Sequence, residues 1–188
     1  MKKRLIFAVL TVAGVANLRA DPPIQLSFVP DFALYHSDVY VRGLALNIWG
    51  ENPQDSFDFG VINGSTGASG GFSLGLMNYA QLYSGVQISG INVNRDYFDG
   101  LQIGCVNVSS GTFKGCQVGG VNIAETTTGV QLGAVNVAGD TTGLQVGAVN
   151  YADKLHGLQI GVINVVQDNA WFSNGQLGVC FPVLNWSF

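Results

Sequence analysis

Gly143-Leu144-Gln145-Val146-Gly147-Ala148-Val149-Asn150-Tyr151-Ala152 and Gly157-Leu158-Gln159-Ile160-Gly161-Val162-Ile163-Asn164-Val165-Val166 are two copies of one unit, joined by Asp153-Lys154-Leu155-His156. Seven such copies open at Gly71, Gly85, Gly100, Gly115, Gly129, Gly143 and Gly157, so the period is 14 or 15 residues. Weaker copies flank them: Gly43-Leu44-Ala45-Leu46-Asn47-Ile48-Trp49, Phe57-Asp58-Phe59-Gly60-Val61-Ile62-Asn63 and Gly175-Gln176-Leu177-Gly178-Val179. Counted from the opening glycine, positions 2, 4, 7 and 9 are apolar in all seven central copies. Position 3 is Gln in six copies and Ser73 in the other, and position 8 is Asn in every one.

The spacing 2, 4, then 7, 9 sets the geometry. Side chains alternate along a strand, so a three-residue step reverses the apolar face and one straight strand cannot bury all four positions. A bend at positions 5 and 6 resolves this, and position 5 is Gly in six of the seven units, with Ser89 the exception. A second bend falls in links such as Gly139-Asp140-Thr141-Thr142, which carry turn chemistry.

Identical residues at identical places are explained by parallel stacking, in which each residue lies over its counterpart one coil away, at roughly 4.8 Å. The sequence therefore predicts an all-β fold, a repeat β-solenoid with 14–15-residue coils, with Leu, Val and Ile filling a continuous interior. Gln102, Gln117, Gln131, Gln145 and Gln159, with Asn107, Asn122, Asn136, Asn150 and Asn164, form either structural amide ladders or an outward polar binding face. The alternative is a small outer-membrane antiparallel β-barrel, although uninterrupted alternation would turn Asn or Gln toward lipid in every copy.

Around the repeat the chain divides into three parts. Residues 1–20 read as a signal peptide: Lys2, Lys3 and Arg4 precede an apolar run of twelve, Leu5 to Ala16, and cleavage is placed after Ala20, with Ala16 and Gly14 marking an alternative. Residues 21–42 contain cap strands, Ile24-Gln25-Leu26-Ser27-Phe28 and Val39-Tyr40-Val41-Arg42. Residues 43–188 form the repeat domain, closed by a capping strand in which Leu184, Trp186 and Phe188 share one face.

Composition narrows the function. Of 188 residues 11% are charged and 26 are Gly, which excludes a helical bundle and a disordered tail. Without Lys2, Lys3, Arg4 and Arg19 the chain keeps four basic and twelve acidic residues, a formal charge of −8, so nucleic acid is not an expected partner. Cys105, Cys116 and Cys180 are an odd number without CxxC spacing and read as small core hydrophobes rather than a disulfide framework.

At its Gly-x-Gln-x-Gly-x-x-Asn units the chain resembles the leptospiral-type surface-repeat family of exported bacterial proteins, over roughly residues 43–188. The resemblance implies a cell-envelope location and no established activity. The period and corner glycines are also similar to the coils of trimeric-adhesin heads, whose Ser-Val-Ala-Ile-Gly wording is absent.

Catalytic chemistry is not expected. His36 and His156 have no partner motif, no Gly-x-Ser-x-Gly elbow occurs, and the glycines are followed by no Gly-Lys-Ser/Thr. Asp96 with Asp99, and Asp55 with Asp58, are close carboxylates without a calcium-loop pattern, and Thr126 to Thr128 and Thr141-Thr142 do not recur as an ice-binding array. No cofactor and no metal site is expected. The function expected is that of a non-enzymatic cell-envelope or surface repeat protein with an adhesion or scaffolding role, exported to the envelope, surface or outer membrane. Its envelope partner, its outer-membrane association and its oligomeric state are left open.

Overall fold

The computed structural model describes residues 21–169 and 179–188; residues 1–20, where the sequence predicts a signal peptide, and residues 175–178 of the last weak copy lie outside them. The described residues are almost entirely extended, and no helix occurs among them. The elements are β1 (Ile24–Val29), β2 (Phe32–Ala33), β3 (Val41–Glu51), β4 (Gln54–Leu74), β5 (Met77–Asp168) and β6 (Cys180–Ser187). β5 is a continuous ribbon of 92 residues that winds through successive coils.

Pairing is parallel from coil to coil. Leu26 lies beside Leu46, Leu46 beside Phe59, Asn63 beside Asn78 and Phe72 beside Val86. Along β5 the unit-opening glycines continue the stack, each facing the carbonyl of the one before, from Gly85 on Gly71 to Gly157 on Gly143. Antiparallel pairs are confined to the two ends, β2 on β1 and β6 on the stretch from Gly157 to Val165. The fold is the β-solenoid; the antiparallel barrel is excluded by the direction of its strands.

The interior departs from the sequence expectation. The residues turned inward are at positions 3, 8 and 10 and two places before the next opening glycine. Gln102, Gln117, Gln131, Gln145 and Gln159 and all the position 8 asparagines from Asn78 to Asn164 are fully buried. The apolar positions 2, 4, 7 and 9 face outward and are half covered, for example Ile103 (37%), Leu132 (36%), Ile160 (38%) and Ile123 (39% exposed). Leu, Val and Ile thus do not fill the interior. A buried amide stacked on its own kind at the coil spacing keeps its hydrogen bonds, so burying it carries little penalty. The outward side chains recover part of their burial from row neighbours above and below.

Apolar packing inside is local. Tyr83, Phe98 and Phe113 stack with centroids 5.9 and 5.5 Å apart and near-parallel rings, flanked by Ala80 and Ala124. Phe98 and Phe113 belong to the two 15-residue coils; in the following 14-residue coils the column continues as Thr127, Thr141 and Leu155.

Two kinds of glycine make the coil. The opening glycines have positive φ, +139° at Gly100, and a Cβ there would sit 1.9 Å from the Gly85 carbonyl oxygen. The position 5 glycines have ordinary φ but lie against the asparagines. A Cβ on Gly147 would come within 2.7 Å of Asn136 Nδ2 and 3.1 Å of Asn150 Oδ1. The Gly-x-x-Asn spacing therefore exists so that Asn can fold back beneath its own corner. Where Ser89 replaces the glycine, its hydroxyl donates to Asn92 Oδ1 at 2.8 Å.

Replacing Asn122 by Ala leaves the Nδ2 group of Asn107 without its Oδ1 acceptor and Asn136 Oδ1 without a donor, and should cost about 2–4 kcal/mol in chemical denaturation. At the other extreme, Val183 holds φ +71° on β6, beside a register shift opposite Gly161 and Asn164. Val183→Gly should raise the unfolding free energy by about 1 kcal/mol by relieving that conformation.

Candidate functional site

The ten amides singled out from the sequence are brought together as two internal ladders. On the asparagine side, Asn63 Nδ2 donates to Asn78 Oδ1 (3.0 Å), Asn92 to Asn107 (2.8 Å), Asn107 to Asn122 (2.8 Å), Asn136 to Asn150 (2.8 Å) and Asn150 to Asn164 (2.7 Å). The same Nδ2 groups also donate to the position 4 carbonyl of the following coil, as Asn107 does to Val118 (3.0 Å). Within this ladder each asparagine donates to the next one toward the C-terminal end.

The glutamines run the other way. Gln102 Nε2 donates to Gln87 Oε1 (3.1 Å), Gln117 to Gln102 (2.8 Å), Gln131 to Gln117 (2.8 Å), Gln145 to Gln131 and Gln159 to Gln145 (both 2.7 Å). Two aligned chains of amide dipoles therefore oppose each other across the interior. A chain in which every member donates in one direction ends on an acceptor with no donor. Those leftover oxygens are Asn47 Oδ1 at the N-terminal end and Gln159 Oε1 at the C-terminal end, both buried and without a hydrogen-bond partner. Being buried, the ten amides present no outward polar face; the arrangement serves register.

Asp58 interrupts the glutamine column. Register places it between Ala45 and Ser73, where the central coils carry Gln. Its carboxylate accepts from Asn47 Nδ2 and from Gln54 Nε2 (2.7 Å), and Gln54 Nε2 also donates to Ser65 Oγ (2.9 Å). Burial raises its pKa to about 7 against the opposing effect of these two donors. Alignment of the weak copy Phe57 to Asn63 with the central unit puts Asp58 at position 3, a signal present in the sequence but masked there by the pairing of Asp58 with Asp55. The two carboxylates diverge, Asp55 exposed and Asp58 buried.

The other chemistry-bearing residues remain apart. His36 Nδ1 meets Asp38 Oδ1 at 2.7 Å on the surface, and this contact holds the Asp38 carboxyl below its usual range. His156 lies edge-on to the Phe188 ring at 6.2 Å. Cys105 and Cys180 are exposed and Cys116 is half-buried on an outer row, so the cysteines are not core residues; their thiols are free, and desolvation pushes that of Cys116 up. Among the described residues, no three His, Cys, Asp or Glu side chains gather as a metal site. Near the N-terminal coils, Trp49 Nε1 donates to the Tyr79 hydroxyl at 3.1 Å, and the Tyr79 ring lies over Gly64.

The geometry defines a repeat β-solenoid with an amide interior. Compared with protein-family models, curated proteins and solved structures, the chain matches none of them.

Because the folded pKa of Asp58 lies above the unfolded value of 3.8, the native state holds its proton more tightly. Its contribution is fully present below about pH 4 and is lost as pH rises to about 7, on the order of 4 kcal/mol in all. Urea unfolding of the wild type should therefore weaken across this window, and Asp58→Asn should flatten that part of the profile and be the more stable protein at pH 8.

Proposed function

We propose that this chain is a non-enzymatic scaffold protein of the cell envelope, which works by lateral association of solenoids through their outward apolar rows. The carrying observation is the inverted partition of side chains: amides inside, Leu, Val and Ile outside on positions 2, 4, 7 and 9. Contiguous exposed rows of large apolar side chains mark interaction surfaces. The linking stretches carry the exposed charged and hydroxyl residues instead, such as Lys114, Glu125, Asp140, Asp153 and Lys154. One side of the rod therefore suits water and the others suit an apolar neighbour.

A second copy of this chain is the partner that fits best. It offers the same side chains at the same coil spacing, so that rows interdigitate along their whole length as facing sheets do. The export signal and the family resemblance support the envelope as the setting. An enzymatic role has no support in the placement of His36, His156 or the cysteines.

Sedimentation of the purified protein at micromolar concentration should give assemblies larger than a monomer. Combining Ile103→Ser, Leu132→Ser and Ile160→Ser should shift them to monomer while costing only about 1 kcal/mol each in stability, since these side chains are half-exposed. A wild type that stays monomeric, that binds lipid vesicles in preference to itself, or whose assemblies survive the triple substitution would contradict this reading.

A further inference from the structure

Two open clefts of about 570 and 210 Å³ adjoin on the N-terminal coils, and Glu51 and Thr66 line both. Trp49 lines the larger; Tyr79, Gln81 and Arg95 line the smaller. Successive coils supply them, since Glu51 pairs with Gly64 and Gly64 with Tyr79. Gly64 leaves a gap in that row, and the hydroxyl end of the Tyr79 ring occupies it, where a Cβ on residue 64 would collide. From there the hydroxyl accepts the Trp49 Nε1 hydrogen at 3.1 Å, which anchors the indole while 41% of the residue stays exposed. In the next coil the rows of Trp49 and Tyr79 continue as Ile91 and Val93, so this set is a local departure from the repeat.

The polar wall comes from an irregularity. Register shifts between Ser65 and Ala68, and there the Gly67 N–H donates to Gln81 Oε1 at 3.0 Å. That bond engages the oxygen, so Nε2 is the end that Gln81 offers. Arg95 adds further donors, Glu51 adds acceptors, and the Thr66 hydroxyl can do both. Burial raises the pKa of the Tyr79 hydroxyl, and the nearby Glu51 carboxylate adds to this against the Trp49 hydrogen bond, so Tyr79 stays uncharged.

A pyranose ring presents an apolar face of C–H groups and a rim of hydroxyls that both donate and accept. An anchored indole suits the first, because the face of an aromatic ring is the negative pole of its quadrupole and draws C–H groups. A carboxylate beside a guanidinium and an amide suits the second. Clefts that join at Glu51 and Thr66 fit a chain of rings better than one ring. The carboxylates of Asp31 and Glu51 outnumber the single cation Arg95 along the walls, which disfavours an acidic sugar.

We propose that this double cleft binds a neutral oligosaccharide, one ring against Trp49 and the hydroxyls of the next shared among Glu51, Gln81 and Arg95.

Ligand-observed saturation-transfer NMR on the purified full-length protein tests this with cellotetraose, maltotetraose, glucose and tetragalacturonate. At least one neutral tetrasaccharide should bind with a dissociation constant near or below about 1 mM, glucose about tenfold more weakly, and tetragalacturonate more weakly than that tetramer. Trp49→Ala should weaken the tetrasaccharide about tenfold or more with a cooperative unfolding transition retained, while Trp49→Phe, which keeps an aromatic face, should hold most of the affinity. Arg95→Ala should weaken it about threefold, the loss of one exposed hydrogen bond. Val162→Ser, at a 70% exposed position on the last coils, should change nothing. The proposal is overturned by absence of transfer to both neutral tetrasaccharides at about 10 mM, by tetragalacturonate binding as tightly as they do, or by affinity that Trp49→Ala leaves intact.

Discussion

An amide that donates to the same amide one coil away is the interaction on which the rest of this structure depends. Asn and Gln have one carbonyl and one NH2 group each, and parallel in-register stacking lets each residue use both on its own kind. That is why position 8 admits only Asn in the central coils, why the corner beneath it is Gly, and why the glutamine ladder is continuous from Gln87 to Gln159. The two ladders have opposite polarity, so their dipoles offset each other, and each ends on one unpaired oxygen, at Asn47 and at Gln159.

A polar interior of this kind is costly wherever a member is left unsatisfied, because a buried polar group without a partner in a low-dielectric core is penalised. The chain limits that cost with unequal devices, and the unpaired buried oxygens of the ladders themselves are confined to their ends at Asn47 and Gln159. Ser89 substitutes a hydroxyl for the missing corner glycine, and Asn94 donates to Gln87 Oε1 at 2.8 Å where the glutamine ladder begins. Asp58 is the exception, a carboxyl in an amide column, and it makes the N-terminal coils sensitive to pH while the coils beyond Gln87 carry no such group in either ladder.

Much of this was legible in the residues themselves. The 14–15-residue period, the parallel stacking and the ladders follow from like residues at like positions. The side of the sheet on which those ladders lie does not follow from them, because apolar patterning alone does not distinguish an inward row from a half-covered outward one. In a coil of 14 or 15 residues the enclosed space is narrow, and self-satisfied amides occupy it as well as aliphatic groups do, which leaves positions 2, 4, 7 and 9 for the outside. The columns at position 10 and before the opening glycine, among them Ala124, Phe113 and Thr127, were also hidden, since their residue types vary from coil to coil. Asn47, in place of a corner glycine, has no repeat signature; its place at the start of the asparagine ladder comes only from register.

The outward rows and the ladder ends follow from the same constraint. Turning amides inward exposes aliphatic rows, and directing every donor one way leaves one unpaired acceptor at each end. Hydrogen exchange of the side-chain NH2 groups, followed by NMR, tests the arrangement most directly. If the ladders are interior and hydrogen-bonded, the NH2 protons of Gln117, Gln131, Asn122 and Asn136 persist in D2O long after those of exposed Gln81 and Gln167 have exchanged. Loss of all of them at one common, solvent-like rate would mean that the amides face water, and the account would be wrong.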